Sequence, residues 1–249
     1  QSRVFHLISM GAVSQLMSSL IEELARTNQS RLAFHSYRQA SDFDLLEDPV
    51  VVGNGFDLSK YELGLEKGGP LGWAGRIAPE KGLEDAVAVA AALDDRLLVW
   101  GAMEDQEYAS EIEASVPAGT IDWRGFLPTA EFQGELKRCR AFLNTPKWNE
   151  AYGNVVIEAM ACGVPVVSYD RGGPGEFIES GFTGWLVAPG DVKALAKATT
   201  CVSEIDRRNC RRWVEKSASQ EAFASRVVNW LQAGIAADAA EFPHEYKNV

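Results

Sequence analysis

From Leu71 onward, short runs rich in β-branched and other apolar residues alternate with longer amphipathic runs. This alternation is typical of βαβ units, which right-handed crossovers assemble into a parallel sheet with helices on both faces. After Asp206 the pattern is helical, with a break near residues 217–219. The fold class predicted is therefore a doubly wound α/β domain. Strands are expected at 71–75, 96–101, 120–125, 141–144, 164–169 and 184–187, and helices at 83–93, 106–115, 132–139, 154–162, 174–179 and 192–202.

The first 50 residues hold only a helical stretch, 13–25, and a strand-like stretch, 31–36. This is too little for an independent core of the usual size, so we interpret residues 1–50 as the remnant of another domain. Residues 51–236 are expected to form the main domain with its terminal helices, and 237–249 a tail. Because the chain opens on Gln1 without the pattern of a signal peptide, we expect a fragment of a longer protein.

Charge and apolar patterning exclude several classes of protein. The formal net charge of -11 argues against a broad nucleic-acid-binding surface, although a local cationic pocket can still hold phosphate. The longest strongly apolar run, residues 86–93, is far shorter than the ~20 residues of a membrane-spanning helix. The four cysteines lack CxxC spacing, which favours reduced thiols and a cytoplasmic location.

The first cluster with chemical meaning runs from Gly75 to Gly82, after one predicted strand and before a predicted helix. Its glycines allow close approach of the backbone to a ligand, and Arg76 and Lys81 can converge on phosphate oxygens. The alternative is a surface loop with two solvated cations.

The second cluster runs from Glu150 to Pro165. Gly163 and Pro165 predict the end of a helix that begins near Asn154. The free amides at Gly153, Asn154 and Val155 would then form a helix N-terminus, which favours an anion such as phosphate. Glu158 lies one turn inside this helix, where it could accept hydrogen bonds from two neighbouring ribose hydroxyls; the alternative is a solvated glutamate.

The spacing of Glu150 and Glu158 resembles the E-x7-E motif of retaining GT-B glycosyltransferases of family GT4. Further matches occur in family order over about three quarters of the chain. They are Asn54-Gly55-Phe56-Asp57, Gly75 to Gly82, Arg124-Gly125-Phe126-Leu127-Pro128, Gly172-Gly173-Pro174-Gly175-Glu176 and Thr183-Gly184-Trp185-Leu186-Val187.

The resemblance implies a hexosyltransferase with a nucleotide-diphosphate-sugar donor, among which a UDP-sugar is favoured, and no metal or other cofactor. The chain would be chiefly the donor-binding domain, and residues 1–50 would belong to the domain that binds an unknown small-molecule, glycan or lipid acceptor. Glu150, Arg76 and Lys81 are the implied catalytic residues. The implied donor-binding residues are Gly75, Gly125, Phe126, Leu127, Tyr152, Gly153, Asn154, Val155 and Glu158.

Two other functions remain open at this point. One is a nucleotide-sugar epimerase or hydrolase, because fold alone does not determine chemistry. The other is a non-catalytic module that binds a nucleotide sugar, which the shortness of the first segment favours. A departure from the family pattern is Gly101-Ala102-Met103, where many relatives carry a second glycine.

Three further signals receive a structural interpretation. Asp42-Phe43-Asp44 spells the metal-binding DxD motif of another glycosyltransferase class, but no long apolar strand precedes it. His6, His35 and His244 lie far apart in sequence, so each is interpreted as structural. The arginines at 207, 208, 211 and 212 are expected on a solvated helix face, with a peripheral membrane or partner contact as the alternative.

Overall fold

The first segment of the chain forms a small parallel pair of strands with two helices. The structure, a computed structural model, describes residues 4–241, with side chains described to residue 237. Strand β1 (His6–Ile8) pairs in parallel with β2 (Leu32–Phe34), so that His6 lies beside Leu32. Helices α1 (Gln15–Asn28) and α2 (Tyr37–Ala40) complete the segment.

The start of α1 differs from the expected helix at 13–25 because Ser14 caps it. The Ser14 hydroxyl accepts the Met17 amide at 3.2 Å, which fixes the first turn at Gln15. Strand β1 was not predicted, since its three residues carry no alternating pattern. A buried cluster forms where α1 meets β2, and it includes Ile21, Ala25, Phe34 and Phe43.

The main sheet has six parallel strands, as the alternation of short and long runs predicts. The strands are β3 (Leu71–Ala74), β4 (Leu97–Trp100), β5 (Ile121–Gly125), β6 (Ala141–Asn144), β7 (Val166–Tyr169) and β8 (Gly184–Val187). Their order across the sheet is β5-β4-β3-β6-β7-β8. The chain therefore winds outward from β3 in one direction and from β6 in the other.

The helices that follow lie close to their predicted positions, with one shift. They are α3 (Leu83–Ala92), α4 (Gln106–Ala114), α5 (Thr129–Leu136), α6 (Asn154–Ala161), α7 (Pro174–Phe177), α8 (Val192–Thr200), α9 (Arg207–Ser217) and α10 (Gln220–Glu241). Helix α5, expected at 132–139, begins earlier because the Pro128 carbonyl accepts the amides of Glu131 and Phe132. Helix α10 continues to Glu241, past the expected boundary at 236, and residues 242–249 lie outside the described part.

Both faces of the sheet are buried, as is usual for parallel sheets. Alternate residues of one strand point to opposite faces, so Leu97 and Val99 join one core while Leu98 and Trp100 join the other. The four cysteines are free, and three of them are buried within the domain. In the described residues, no helix is long and apolar enough to cross a membrane.

The interpretation of the α9 arginines as a solvated face is wrong for two of the four. Arg207 is only 3% exposed, and its guanidinium donates to the backbone carbonyls of Glu66, Lys137 and Cys139. Arg211, one turn later, donates to the carbonyls of Tyr61 and Ala161, among others. Their spacing of four residues places both on the inner face, where the terminal nitrogens of each guanidinium donate to backbone carbonyls of distant segments.

Helix α10 returns to the first segment of the chain. The Trp230 ring packs edge-on against Phe5 at 5.3 Å, and its indole N–H donates to the Ser30 carbonyl at 3.0 Å. Trp230 also shares a buried cluster with Ala33 and Val52. The last helix thus supplies part of the core of the first 50 residues.

Candidate functional site

The sheet order places a cleft between β3 and β6. The chain leaves these adjacent strands in opposite directions, so their carboxyl ends bound a crevice of the kind in which open α/β sheets bind ligands. A cavity of about 450 Å³ lies there, which we name the switch-point cavity. Eight of the residues predicted from the sequence line it: Gly75, Arg76, Lys81, Glu150, Tyr152, Gly153, Asn154 and Val155.

A second cavity, of about 590 Å³, continues the cleft toward β4 and β5, and we name it the β4–β5 cavity. Phe126, Leu127 and Glu158 line it, and Phe126 is 80% exposed. The two cavities share Gly75, Arg76 and Val155 among their lining residues, so they form one continuous cleft. Gly125 lines neither cavity; its carbonyl accepts the Gly101 amide at the end of β5.

Lys81 and Glu150 form an ion pair in the switch-point cavity, and each side chain is 17% exposed. The Trp148 indole N–H also donates to the Glu150 carboxylate, at 2.7 Å. The ammonium nitrogen of Lys81 lies 4.6 Å from the centre of the Trp148 ring, within the range of a cation–π contact. These three contacts hold the lysine and the glutamate in fixed positions along the cavity wall.

Arg76 brings a second cation to the same cavity. Its guanidinium bonds to Glu104 and to Glu80, each at 2.7 Å, and the hydrogen bond with Glu104 raises its pKa. Helix α6 begins beside it with Gly153, which offers no side chain to cap the first amides. The cavity therefore combines an uncapped helix N-terminus, which favours an anion, with two cations for which an anion would compete with the carboxylates that now pair with them.

Glu158 is not a solvated helix residue. Its carboxylate accepts a hydrogen bond from the Tyr61 hydroxyl at 2.9 Å while lining the β4–β5 cavity. Burial raises the pKa of Glu158, and the bond from Tyr61 opposes that rise in part. One acceptor oxygen is thus engaged by Tyr61, and the rest of the carboxylate capacity is open to a ligand hydroxyl.

Two glycines are required by close backbone contacts beneath the site. A Cβ on Gly172 would lie 2.4 Å from the Glu150 carbonyl oxygen, and the Gly173 amide donates to that oxygen at 2.8 Å. Gly101, with φ of +142°, would place a Cβ 1.7 Å from the carbonyl oxygen of Gly75. The segments after β7 and β4 therefore support the loops that carry Glu150 and Arg76.

The first segment of the chain is tied to the same loops. The Ser36 hydroxyl donates to the Ala151 carbonyl at 2.7 Å, next to Glu150. The Glu176 carboxylate accepts the backbone amides of Tyr37 and Arg38 at the start of α2. The motif from Gly172 to Glu176, recognised in the sequence without a role, thus joins the Glu150 loop to α2.

Sequence reasoning missed several residues of the cleft. Trp148 and Tyr61, which contact the two glutamates, were not named. Asn54, named from the sequence as part of a family match but without a role, donates to the Asn154 side chain at 3.0 Å. Ser9 and His35 follow β1 and β2 and line the switch-point cavity, so His35 is not only a core residue. The available signal was position: Trp148 precedes Glu150 by two residues, and His35 lies near the end of the strand-like stretch 31–36. Ser9 had no such signal, because β1 was not predicted.

The DxD motif has a different environment. Phe43 is buried in the core of the first segment, and Asp42 accepts a hydrogen bond from Asn149. Across residues 4–237, no group of three or more His, Cys, Asp or Glu side chains is arranged to hold a metal ion. His244 lies outside the described residues.

The sheet order and its cleft are those of the second half of a GT-B fold. A solved structure of AviGT4, a glycosyltransferase involved in avilamycin A biosynthesis, superimposes with a TM-score of 0.75 at 24% identity, covering 83% of this chain and 64% of AviGT4. The Anabaena protein HepE, solved with UDP and glucose, gives a TM-score of 0.77 at 22% identity, covering 88% and 68%.

The sequence identifies the family. The family described as glycosyl transferases group 1 matches residues 65–234, and the chain belongs to that family. A relative, 2-deoxystreptamine glucosyltransferase of Streptomyces kanamyceticus, is 36% identical over 146 residues, which is 55% of this chain and 38% of the relative. Sucrose synthase of Acidithiobacillus caldus is 34% identical over 116 residues, 45% of this chain and 15% of the relative. The chain thus spans less than half of either relative.

Proposed function

We propose that this chain binds the donor of a retaining glycosyltransferase that transfers a hexose from a UDP-sugar without a metal ion. The observation that carries the proposal is the order of groups along one continuous cleft. Glu150 lines only the switch-point cavity, Arg76 and Val155 line both cavities, and Glu158 lines only the β4–β5 cavity. A hexose, a diphosphate and a nucleoside follow one another in the same order in a nucleotide sugar.

The cations of the switch-point cavity would act on the leaving group. When the bond between the anomeric carbon and the diphosphate breaks, its electron pair stays on the diphosphate oxygen. Arg76, Lys81 and the amides of Gly153 to Val155 would stabilise that growing negative charge in place of a metal. Glu150, held by Lys81 and Trp148, would contact the sugar itself.

The nucleoside is assigned to the β4–β5 cavity. Glu158 would accept hydrogen bonds from the ribose hydroxyls, and the base would meet the segment from Gly125 to Leu127. UDP is favoured because HepE, which shares the fold, has been solved with UDP. Retention is supported by the E-x7-E spacing of Glu150 and Glu158.

Titration of the chain with UDP, GDP and ADP in the presence of a metal chelator tests this proposal. We expect UDP to bind with the highest affinity, as measured by calorimetry. Preferential binding of GDP or ADP would show that the base of the donor is guanine or adenine and not uracil. Absence of binding by all three nucleotides would contradict the assignment of the cleft as a donor site.

The affinity for UDP should fall as the pH is lowered from 7.5 toward 5. Burial raises the pKa of Glu158 above its ordinary value of 4.5, so this carboxyl takes up a proton at a higher pH than an exposed glutamate does. Protonation removes acceptor capacity from the ribose site. The quantity to measure is the ratio of UDP affinities of the unmodified chain and Glu158→Gln, because titration of the UDP phosphates affects both equally. A ratio that stays constant over this pH range would argue against a ribose contact.

A further inference from the structure

A second ion pair joins the two segments that carry Lys81 and Glu150. The Lys147 ammonium pairs with the Asp85 carboxylate, and a carboxylate oxygen of Glu84 lies 3.4 Å from the same ammonium. Lys147 precedes Glu150 by three residues, and both carboxylates lie in the first turn of α3, just after Lys81. None of the three charged groups lines either cavity of the cleft. The pair is therefore outside the surface that a donor would contact.

The Asp85 carboxylate is a charge at a buried position of α3. Its side chain is 12% exposed, and its neighbours Ala86 and Val87 are buried. The hydroxyl of the fully buried Tyr169 donates to it at 2.7 Å. A carboxylate in such surroundings is costly unless it is both paired and hydrogen-bonded. Lys147 supplies the paired charge, so removal of the ammonium would disturb the start of α3.

The backbones of the two segments meet at the same place. The Lys147 amide donates to the Glu80 carbonyl at 2.9 Å, and the Thr145 hydroxyl donates to the Gly82 carbonyl at 2.7 Å. Gly82 has a φ of +66°, and a Cβ there would lie 3.1 Å from Cε of Lys147. The alkyl chain of Lys147 therefore passes close over the turn that connects Lys81 to α3.

These contacts bear on the spacing of the two groups assigned to the donor. Lys81 and Glu150 pair across the two segments, and the Lys147 ion pair joins the same segments. Supporting contacts of this kind hold a site in its productive geometry, and a displacement of about 1 Å can lower a rate about 100-fold. The backbone hydrogen bonds between the segments do not depend on the ammonium. Its loss is therefore expected to loosen the site without unfolding the domain.

We infer that Lys147 is a positioning residue, whose pair with Asp85 fixes the loop before α6 against the turn before α3. The inference rests on the proposed function of the cleft as the donor site. Lys147 would act through Lys81 and Glu150 and would not touch the donor. The β-phosphate, which Lys81 is proposed to meet, should therefore be the part of UDP that is most sensitive to the loss of the pair.

The test measures the affinities of UDP and UMP by calorimetry, because their ratio gives the contribution of the β-phosphate. Lys147→Met keeps most of the alkyl chain and removes the charge. It should lower the ratio about tenfold, the effect of weakening one charge-assisted hydrogen bond, and leave the affinity for UMP unchanged. Lys147→Arg should restore most of the ratio.

Arg140→Met is the matched control. Arg140 precedes β6 as Lys147 follows it, forms a partly buried ion pair with Asp95 and lines neither cavity of the cleft. Its replacement removes the same charge and a comparable ion pair at the other end of the strand. The ratio of UDP to UMP affinity should not change in this variant.

Asp85→Asn separates positioning from the long-range effect of charge. If the pair acted only through its electric field, removing the cation would weaken the binding of an anion and removing the carboxylate would strengthen it. Loss of positioning instead lowers the ratio in both variants. Opposite changes in Lys147→Met and Asp85→Asn, or an unchanged ratio in Lys147→Met, would overturn the inference.

Hydrogen exchange of the ligand-free chain, measured by NMR, tests the same inference without a donor. The amide at position 147, which bonds to the Glu80 carbonyl, should exchange faster in Lys147→Met and at an unchanged rate in Arg140→Met. Absence of UDP binding by the unmodified chain would reject the proposed function alone if this exchange is faster. An unchanged exchange rate in Lys147→Met would reject the positioning role, whether or not UDP binds.

Discussion

Replacing Lys81 with alanine is expected to lower the rate of donor cleavage by about 10²- to 10³-fold, the usual effect of removing one group that stabilises transition-state charge. The ammonium lies in the switch-point cavity against Glu150 and Trp148, where it would meet the leaving diphosphate. Donor affinity should change much less than the rate, because the charge on the leaving group grows as the bond breaks. The measurement is release of UDP from a UDP-sugar, with water as the acceptor where no other is known.

Lys193→Ala is the matched control for this experiment. Lys193 is an exposed cation on α8 that lines neither cavity of the cleft, so its loss removes the same charge without touching the cleft. Turnover should be unchanged in that variant. An unchanged turnover in Lys81→Ala would remove Lys81 from the catalytic groups, and a loss confined to affinity would make it only a binding residue.

Replacing Glu158 with alanine is expected to weaken UDP binding by roughly tenfold to a hundredfold. Hydrogen bonds to a charged acceptor contribute about 1.5–3 kcal/mol, and the variant would lose those from the ribose. Calorimetric titration measures the change. The variant also leaves the Tyr61 hydroxyl without its partner, so a second variant is needed to separate the two effects.

Tyr61→Phe provides that separation, because it removes the hydroxyl and keeps the Glu158 carboxylate. It should retain most of the UDP affinity. A second ligand, 2′-deoxy-UDP, provides a further test. The unmodified chain should bind 2′-deoxy-UDP more weakly than UDP, whereas Glu158→Ala should bind the two ligands equally well. A preference for UDP that survives in Glu158→Ala would assign the ribose contact to another residue.

The order of strands and helices was predictable because each element of the main sheet carries its own local pattern. Pro70 and Gly75 bound the apolar run of β3, Arg140 precedes that of β6, and Gly184 begins that of β8. The structure places those strands within one residue of their predicted ends. Helix α5 was misplaced because its start depends on the Pro128 carbonyl, which has no side-chain signature. Strand β1 was missed because it is short and stabilised mainly by its pairing with β2.

The gathering of most site residues in one cleft was also predictable, because loops after parallel strands meet at one edge of the sheet. The hydrogen-bond partners of those residues could not be predicted. Tyr61 lies 97 positions from Glu158, and nothing local to either residue indicates their hydrogen bond. The inward face of α9 was misjudged for the same reason, since the carbonyls that bind Arg207 and Arg211 come from distant segments.

The return of α10 to the first segment has a consequence for how the chain folds. Ser30 and Trp230 are 200 positions apart, and contacts of such separation are costly in loop-closure entropy and slow to form. During synthesis, β1 and β2 emerge before α10, and Phe5, Ala33 and Val52 gain their full packing only when that helix is in place. The six-stranded sheet between them contains its own core and can form earlier. The segment that holds β1 and β2 is therefore expected to reach its final stability after the sheet, although it is synthesised before it.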